Sequence, residues 1–337
     1  MARLRDVGEF EALRRLIAER VGHPTVIVGP GDDAAVVRPA PGMDLVATTD
    51  AFVEGRHYLP EWLAPAARGA RLAAANLSDL AAMAALPRWA LLSVGARAEH
   101  EVEALLALEQ GLEQALEAEG AVVVGGNITA TEGPEWLSLT LLGEVAAGRA
   151  WTRRGARPGD LIAASGAPGR AGAGLRLASS LGAGARAPEW RSLVDAWLEP
   201  RARVALARTI AASGAVTAAI DLSDGLLGDL AHLCEVSGVG AELESRAGAE
   251  DALLERAAVV LGIPRFDLYA GPSDDYELLL AVDPARRAVC EAAAAAAGGA
   301  LAFIGRFTDA PGVIARIEPD GARRTLEPTG FDHFARG

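Results

Sequence analysis

The chain has 337 residues, 51% of them hydrophobic, with 45 acidic against 32 basic residues and a net charge of −13 at pH 7. That size and apolar content suit two domains with cores of ordinary size, and the acidic balance excludes a nucleic-acid surface, which draws its affinity from clustered basic side chains. Lysine is absent, so every basic residue is arginine, and P-loop and Schiff-base chemistry, which both need a lysine amine, are excluded with it.

The opening "MARLRDVGEF" lacks the apolar core of a signal segment. Phe10, Leu13, Leu16 and Ile17 recur at helical spacing and predict an amphipathic helix. "VGPGDDAAVV" (28–37) then joins a Gly-Pro-Gly turn to two aspartates and a predicted strand from Ala34 to Val37. Side chains alternate along a strand, so if this one enters a core, Asp32 and Asp33 are not both solvent-facing, and one of them meets something that wants a negative charge. "DLVATTD" and "WALLSVGA" read as strands around a helix from Pro65 to Ala85. A helix from about Glu99 to Glu119 leads into "AVVVGGN", and "EWLSLTLLGEV" is a further strand.

Gly, Pro and arginine gather in "GRAWTRRGARPGD" (148–160), which sets the expected domains at 1–148 and 149–337. A second α/β unit begins at "LIAASG", with helices predicted from Gly169 to Leu181 and from Pro200 to Ser213. "AAIDLSDGLLGDLAHLCEVSG" reads as strand, polar turn and helix. "YELLLAVD", an Ala-rich helix, "FIGRF" and a hairpin turning at Asp320-Gly321 complete the chain. The Ala-rich run is too short and too weakly hydrophobic to span a bilayer. Cys234 and Cys290 have no neighbours at ligand spacing and read as small buried hydrophobes in a reduced, cytoplasmic protein.

Four polar motifs stand out, each with two readings. Thr48, Thr49 and Asp50 end an apolar strand, as ligands or as a cap. Asn76 and Asp79 share a face of an Ala/Leu helix, which is either functional or simply solvated. Asp221 and Asp224 flank Ser223 between a strand and a helix; N-capping explains one acid but not two, and the helix start is a natural anion site that brings in Ser223. In "VVVGGNITAT" the glycines admit a ligand or another backbone and leave Asn127 at the tip, or they make a tight turn. "GAPGRAGAG" (166–174) has the wrong order for a dinucleotide fingerprint, and the five histidines show no HExxH pairing. Carboxylates gathered at strand ends without lysine, catalytic cysteine or a histidine cluster are what oxygen-ligated Mg²⁺ with polyphosphate requires, since acids packed together need cations to neutralise them.

"GPGDDAAV", "TTDAFVEGRH", "NLSDLAAM", "GGNIT", "WTRRGARPGD", "DLSDGLLGDL" and "GFDHF" follow one another along essentially the whole chain. In that order and spacing the sequence resembles the thiamine-monophosphate kinases, whose superfamily includes aminoimidazole ribonucleotide synthetase and selenophosphate synthetase. The resemblance implies an α+β protein of two α/β domains. The N-terminal mixed sheet would form a β-barrel shared across a homodimer, and the C-terminal α/β domain would complete the active site, with ATP and Mg²⁺ between the domains. The implied reaction is ATP plus thiamine monophosphate giving ADP plus thiamine diphosphate.

By position, the resemblance makes Asp33, Thr48, Thr49, Asp50, Asp79, Asn127, Asp221 and Asp224 the metal-site residues. Gly126, Asn127, Arg153 and Ser223 become nucleotide contacts, and His57, Asp274 and Phe331 line the thiamine phosphate pocket. Asp33 would hold Mg²⁺ while Asp32 shapes the turn. No general base is implied, because a substrate phosphate oxygen is already anionic and the reaction becomes metal bridging and in-line positioning. Two departures stand out. The usual Gly-Gly-Asp is Gly-Gly-Asn here, which makes one ligand neutral, and the usual Gly-Gly-Glu-Asp-Tyr-Glu-Leu is "PSDDYEL", which puts Asp274 in place of a glutamate longer by about 1.5 Å. They admit two rival readings: a superfamily enzyme acting on another small substrate, and a degenerate nucleotide-binding dimer.

Overall fold

Strands with alternating apolar side chains need a covering layer on one face, and the first half of the chain supplies it with helices. The computed structural model describes residues 2–17, 23–328 and 330. They fall into two units, residues 1–80 with 85–150 and residues 81–84 with 151–337. The first unit carries α1 (Leu4–Val7), α2 (Glu9–Ile17), β1 (Val26–Val28), β2 (Val36–Val37), β3 (Met43–Val53), α3 (Pro65–Ala82), β4 (Leu86–Ala96), α4 (Val102–Glu117), β5 (Val122–Ala130) and β6 (Trp136–Ala146). Its main sheet has the order β3-β6-β4-β5, with β6 antiparallel to both neighbours and β4 parallel to β5.

One face of that sheet is core: Leu92, Val94, Leu137, Leu139 and Leu141 are buried, as are Leu72, Leu80, Leu108 and Leu112 of α3 and α4. A Cβ on Gly69 of α3 would stand 2.0 Å from the Leu108 carbonyl oxygen, and one on Gly111 of α4 would stand 2.0 Å from that of Ala66. Glycine at both positions is what lets the two helix backbones touch. The other face carries Leu45 (54% exposed), Thr49 and Leu91 (39% exposed). Among the described residues the sheet is open, with β3 and β5 as its edges, and no barrel closes within the chain.

The second unit carries β7 (Leu161–Ser165), α5 (Arg170–Leu181), α6 (Arg191–Leu198), α7 (Val204–Ala211), β8 (Val216–Asp221), α8 (Leu226–Ser237), β9 (Gly240–Glu244), α9 (Ala252–Leu261), α10 (Arg265–Ala270), β10 (Leu278–Val282), α11 (Arg287–Ala296), β11 (Leu301–Thr308), β12 (Ile314–Ile317) and β13 (Arg323–Thr325). Their sheet order is β13-β12-β9-β11-β7-β10-β8. The pairing is antiparallel except between β12 and β9. β12 and β13 form the hairpin expected at Asp320-Gly321, with Gly321 at φ +85°.

Two expectations change. The strand expected over Ala34–Val37 is only Val36–Val37, and Val36 is 46% exposed. Asp32 and Asp33 are both exposed, so the alternation argument loses its premise, which was entry into a core. Asp32 does shape the turn: its Oδ1 accepts the Asp33 N–H at 2.9 Å. Thr48, Thr49 and Asp50 lie inside β3 rather than at its end, because the strand runs on to Val53. Cys234 and Cys290 are buried and unpaired, and burial pushes their thiols up to about 12 and about 11. No helix among the described residues is long and apolar enough to cross a membrane.

Candidate active site

In β3 the core-facing set includes Thr48, Asp50 and the buried Phe52, while Thr49 points the other way. The Thr48 hydroxyl donates to Asp79 Oδ2 at 2.5 Å, which fixes α3 over this stretch of strand. Asn76, one turn before Asp79, is fully buried, and its Nδ2 donates to the Leu72 carbonyl at 3.0 Å. The solvated-face reading of this helix is therefore wrong: the Asn76/Asp79 face is turned inward. Burial, and then the charge of Asp79, pushes the Asp50 carboxyl up to about 6. Two neighbouring carboxylates and a threonine hydroxyl make an all-oxygen set with excess negative charge, which fits a hard divalent cation. Among the described residues no group of three or more acidic, histidine or cysteine side chains forms a ready cage. The fit is thus to an ion such as Mg²⁺, which takes one or two carboxylates and keeps water and phosphate oxygens for the rest.

The other N-terminal residues are placed as follows. The Thr49 hydroxyl accepts from Thr140 Oγ1 at 3.2 Å on the exposed sheet face. Asp33 sits on the exposed turn between β1 and β2. Gly126 and Asn127 lie within strand β5, not in a turn. A Cβ on Gly126 would stand 2.1 Å from the Leu92 carbonyl oxygen, so it is a neighbouring backbone that this glycine admits. Asp50, Leu139, Leu92 and Gly126 form one row across the sheet, and Ala51, Ser138, Ser93 and Asn127 form the next. Successive rows alternate faces, which puts the exposed Asn127 on the pleat opposite Asp50. His57 follows β3 in a tight turn. Its Nδ1 accepts the Val53 N–H at 3.0 Å, and its ring stacks on Phe52 with centroids 5.5 Å apart and planes at 10°.

In the second unit, Asp221 ends β8 and is 2% exposed. The turn before the helix is held by Asp229, a full turn inside α8, whose Oδ2 accepts the N–H groups of Ser223 (3.1 Å), Asp224 (3.2 Å) and Gly225 (3.1 Å). The Asp229 carboxylate thus holds the backbone of the Ser223–Gly225 turn that leads into the helix. Burial first, then Asp221 and Asp224, pushes Asp229 up to about 8.

The PSDDYEL segment runs beside this turn: Leu222 N–H donates to the Glu277 carbonyl at 2.7 Å and Tyr276 N–H to that of Leu222 at 2.8 Å. Tyr276 adopts φ +52°, a strained conformation for a tyrosine. Asp275 accepts from Gly169 N–H (2.6 Å) and Ala171 N–H (2.9 Å) and so closes the start of α5, the helix of the rejected dinucleotide motif. Glu277 binds Arg203 through both carboxylate oxygens and accepts the Ser165 hydroxyl at 2.5 Å. Asp274 is half-buried between these two structural acids and the start of the segment. Arg153 is exposed on a stretch pinned by Ser237, which donates to the Arg153 carbonyl at 3.1 Å and accepts from Gly155 and Ala156 at 3.2 Å. Gly330 packs on α8: a Cβ on Gly330 would stand 3.3 Å from the Gly228 Cα and 3.5 Å from the Asp224 Cβ. Phe331, the next residue, lies outside the described residues.

Residues 31–145 and 157–318 match the family models for the N-terminal and C-terminal domains of AIR synthase related proteins. The thiamine-monophosphate kinase of Escherichia coli O157:H7 is 34% identical over 330 residues, 97% of this chain and 98% of the relative. That of Caulobacter vibrioides is 36% identical over 324 residues, 91% and 86% of the two chains. The chain belongs to the thiamine-monophosphate kinase family. Among solved structures, AaThiL complexed with AMPPCP and TMP superposes with a TM-score of 0.77 at 30% identity, over 99% of both chains. The thiamine-monophosphate kinase of Stenotrophomonas maltophilia K279a superposes with a TM-score of 0.77 at 31% identity, over 93% and 95%. Hydrogenase maturation protein HypE shares the fold at 17% identity and a TM-score of 0.75.

Within this family frame, the residues that sequence reasoning passed over are the ones that hold the motifs in shape. Asp229 is the second acid of "DGLLGDL", and its i+4 offset from Gly225 was a signal for a turn held from inside the helix. Asp275 and Glu277 carried no such signal, because their partners lie about a hundred residues away in the chain.

Proposed function

We propose that this chain transfers the terminal phosphoryl group of ATP to thiamine monophosphate, giving ADP and thiamine diphosphate. The observation that carries the reading is the inward pair Asp50–Asp79 joined by the Thr48 hydroxyl, in a chain that matches named thiamine-monophosphate kinases end to end. Thr48, Asp50 and Asp79 would hold Mg²⁺, and the resemblance adds Asp33, Thr49, Asn127, Asp221 and Asp224. A bound Mg²⁺ supplies charge neutralisation at the phosphates. The chain's own part is to orient and to exclude competing contacts. Arg153 and the Ser223 hydroxyl would meet the nucleotide phosphates, with Gly126 in the nucleotide-binding segment, and His57, Asp274 and Phe331 would receive thiamine monophosphate. The exposed face and free edges of the β3-β6-β4-β5 sheet support a homodimer in which a second copy closes a barrel. Buried, unpaired cysteines support a cytoplasmic setting.

The test is ADP release with Mg-ATP against thiamine monophosphate, thiamine and other small phosphate acceptors. Turnover confined to an acceptor other than thiamine monophosphate selects the rival enzyme reading, and no turnover with any of them selects the degenerate dimer.

Asn127 makes a separate prediction. As a neutral Mg²⁺ ligand it gains a charge in Asn127→Asp, which is expected to lower the Mg²⁺ concentration for half-maximal activity, because a carboxylate attracts the cation more strongly than an amide oxygen does. A Mg²⁺ titration at saturating substrates reads this directly. An unchanged Mg²⁺ curve with an unchanged KM for ATP removes Asn127 from the ligand set, in keeping with its place on the pleat opposite Asp50.

A further inference from the structure

The first unit holds a buried polar cluster that the proposed chemistry does not use. Glu135, which precedes β6, is 4% exposed. Its carboxylate accepts the Tyr58 hydroxyl at 2.5 Å and Arg68 at 3.3 Å, and lies 2.9 Å from His100 Nε2. Burial pushes this carboxyl up, but His100, Tyr58 and Arg68 together hold it below its ordinary range. Tyr58 is 2% exposed, and Arg68 also lies over its ring at 5.1 Å. A second carboxylate, Glu54, binds Arg97 at 2.9 Å and accepts the Glu135 N–H at 3.0 Å, while its own N–H donates to the Glu135 carbonyl at 2.9 Å. So many charged groups are costly to bury unless each is satisfied, and a fully satisfied network fixes one local geometry.

What it fixes is the turn that carries His57. Glu54 and Tyr58 bracket that turn and form a bridge to each other, and Gly55 N–H donates to the Tyr58 carbonyl at 2.9 Å. Gly55 takes the left-handed conformation the bend demands, at φ +76°. Between these clamps His57 N–H donates to the Val53 carbonyl at 3.0 Å, and Nδ1 accepts Val53 N–H. An Nδ1 that accepts a backbone proton leaves the neutral ring's own proton on Nε2.

We infer that Glu135 and Tyr58 are positioning residues which, with Glu54 and Arg97, lock the His57 turn so that the ring presents Nε2–H as a hydrogen-bond donor to the anionic phosphate of the acceptor substrate. This rests on the proposed function, because it takes His57 to face thiamine monophosphate. The cluster reaches the substrate only through His57.

Tyr58→Phe removes one hydroxyl from the network and keeps the ring. It is expected to raise the KM for thiamine monophosphate about fivefold, the order of one hydrogen bond's net worth, with kcat and the KM for ATP within about twofold of the parent. Arg97→Gln, at the solvent edge of the cluster, is expected to act in the same direction and serves if Tyr58→Phe fails to fold. Two replacements of His57 test the donor itself. Gln places an amide N–H near the position of Nε2, whereas Asn reaches only to that of Nδ1, so His57→Gln should bind thiamine monophosphate more tightly than His57→Asn in calorimetry without ATP.

The inference is overturned if Tyr58→Phe and Arg97→Gln lower only the melting temperature, if they raise both KM values equally, or if Asn serves at position 57 as well as Gln. Failure of the parent protein itself to bind thiamine monophosphate would instead overturn the proposed function.

Discussion

Asp50→Asn is expected to abolish turnover and, at the same time, to make the metal-free protein more stable. The carboxylate stands on the core face of β3 beside Asp79, and burial together with that neighbour pushes it up to about 6 from an ordinary value of 3.8. Folding therefore favours the protonated form. The stability this group contributes is fully present below about pH 4 and is lost as pH rises through about 6. At pH 7.5 the parent protein holds an ionised Asp50 at a cost of about 3 kcal/mol, which a neutral asparagine avoids. In EDTA at that pH the variant should melt about 4–8 °C higher, with the gap closing as pH falls towards 4. Added Mg²⁺ should stabilise the parent and leave the variant unmoved, while activity falls at least about a hundredfold. A variant with near-parental activity at low millimolar Mg²⁺, or one that melts lower than the parent in EDTA at pH 7.5, removes Asp50 from the cation site.

How far the sequence could show this differs from one residue to the next. Asp50 was legible as a candidate because it reads as the polar end of an apolar strand, where a fold exposes ligands, although the strand in fact runs on to Val53. Asp79 was a candidate too, but its helix also reads with Asn76 and Asp79 outward, and it is the buried Asn76 and the Thr48–Asp79 hydrogen bond that turn this face inward. The strands β3, β4, β6, β7, β8 and β10 were legible from their apolar runs. α9 was missed because Val259 and Val260 stand 76% and 49% exposed, which blurs the apolar stripe that marks a helix. β9 has only five residues and follows a helix directly, too short a run for alternation to declare itself. The paired aspartates of the β1–β2 turn misled for a related reason. Alternation predicts which way a side chain points only where a strand exists, and there the strand has two residues.

The acidic turn of the second unit separates geometry from charge, and Asp229 is the residue on which the two can be told apart. Removing its carboxylate in Asp229→Ala leaves the N–H groups of Ser223, Asp224 and Gly225 without their common acceptor. The expected cost is about 2–4 kcal/mol of stability. Turnover should fall about a hundredfold, because Ser223 and Asp224 are side chains whose placement that acceptor sets. Asp229→Asn should behave quite differently. All three bonds converge on one oxygen, Oδ2, and an asparagine carbonyl supplies such an oxygen. Burial and the neighbouring Asp221 and Asp224 push the native carboxyl up to about 8 from 3.8, so in the metal-free protein near pH 7 it is already mostly protonated, with Oδ2 still able to accept. The variant should therefore match the parent in EDTA only near pH 4 and melt above it at pH 7, where Asp229 of the unfolded parent is ionised. As pH rises from about 4 towards about 8 the parent loses the stability of the protonated form and the asparagine variant does not, so the difference between them should open across that window and level off above it. Thermal melts of the three proteins from pH 4 to pH 9.5 test this. A variant Asp229→Asn as damaged as Asp229→Ala at pH 7 would mean that the turn is held by the charge of Asp229 and not by the place of its oxygen.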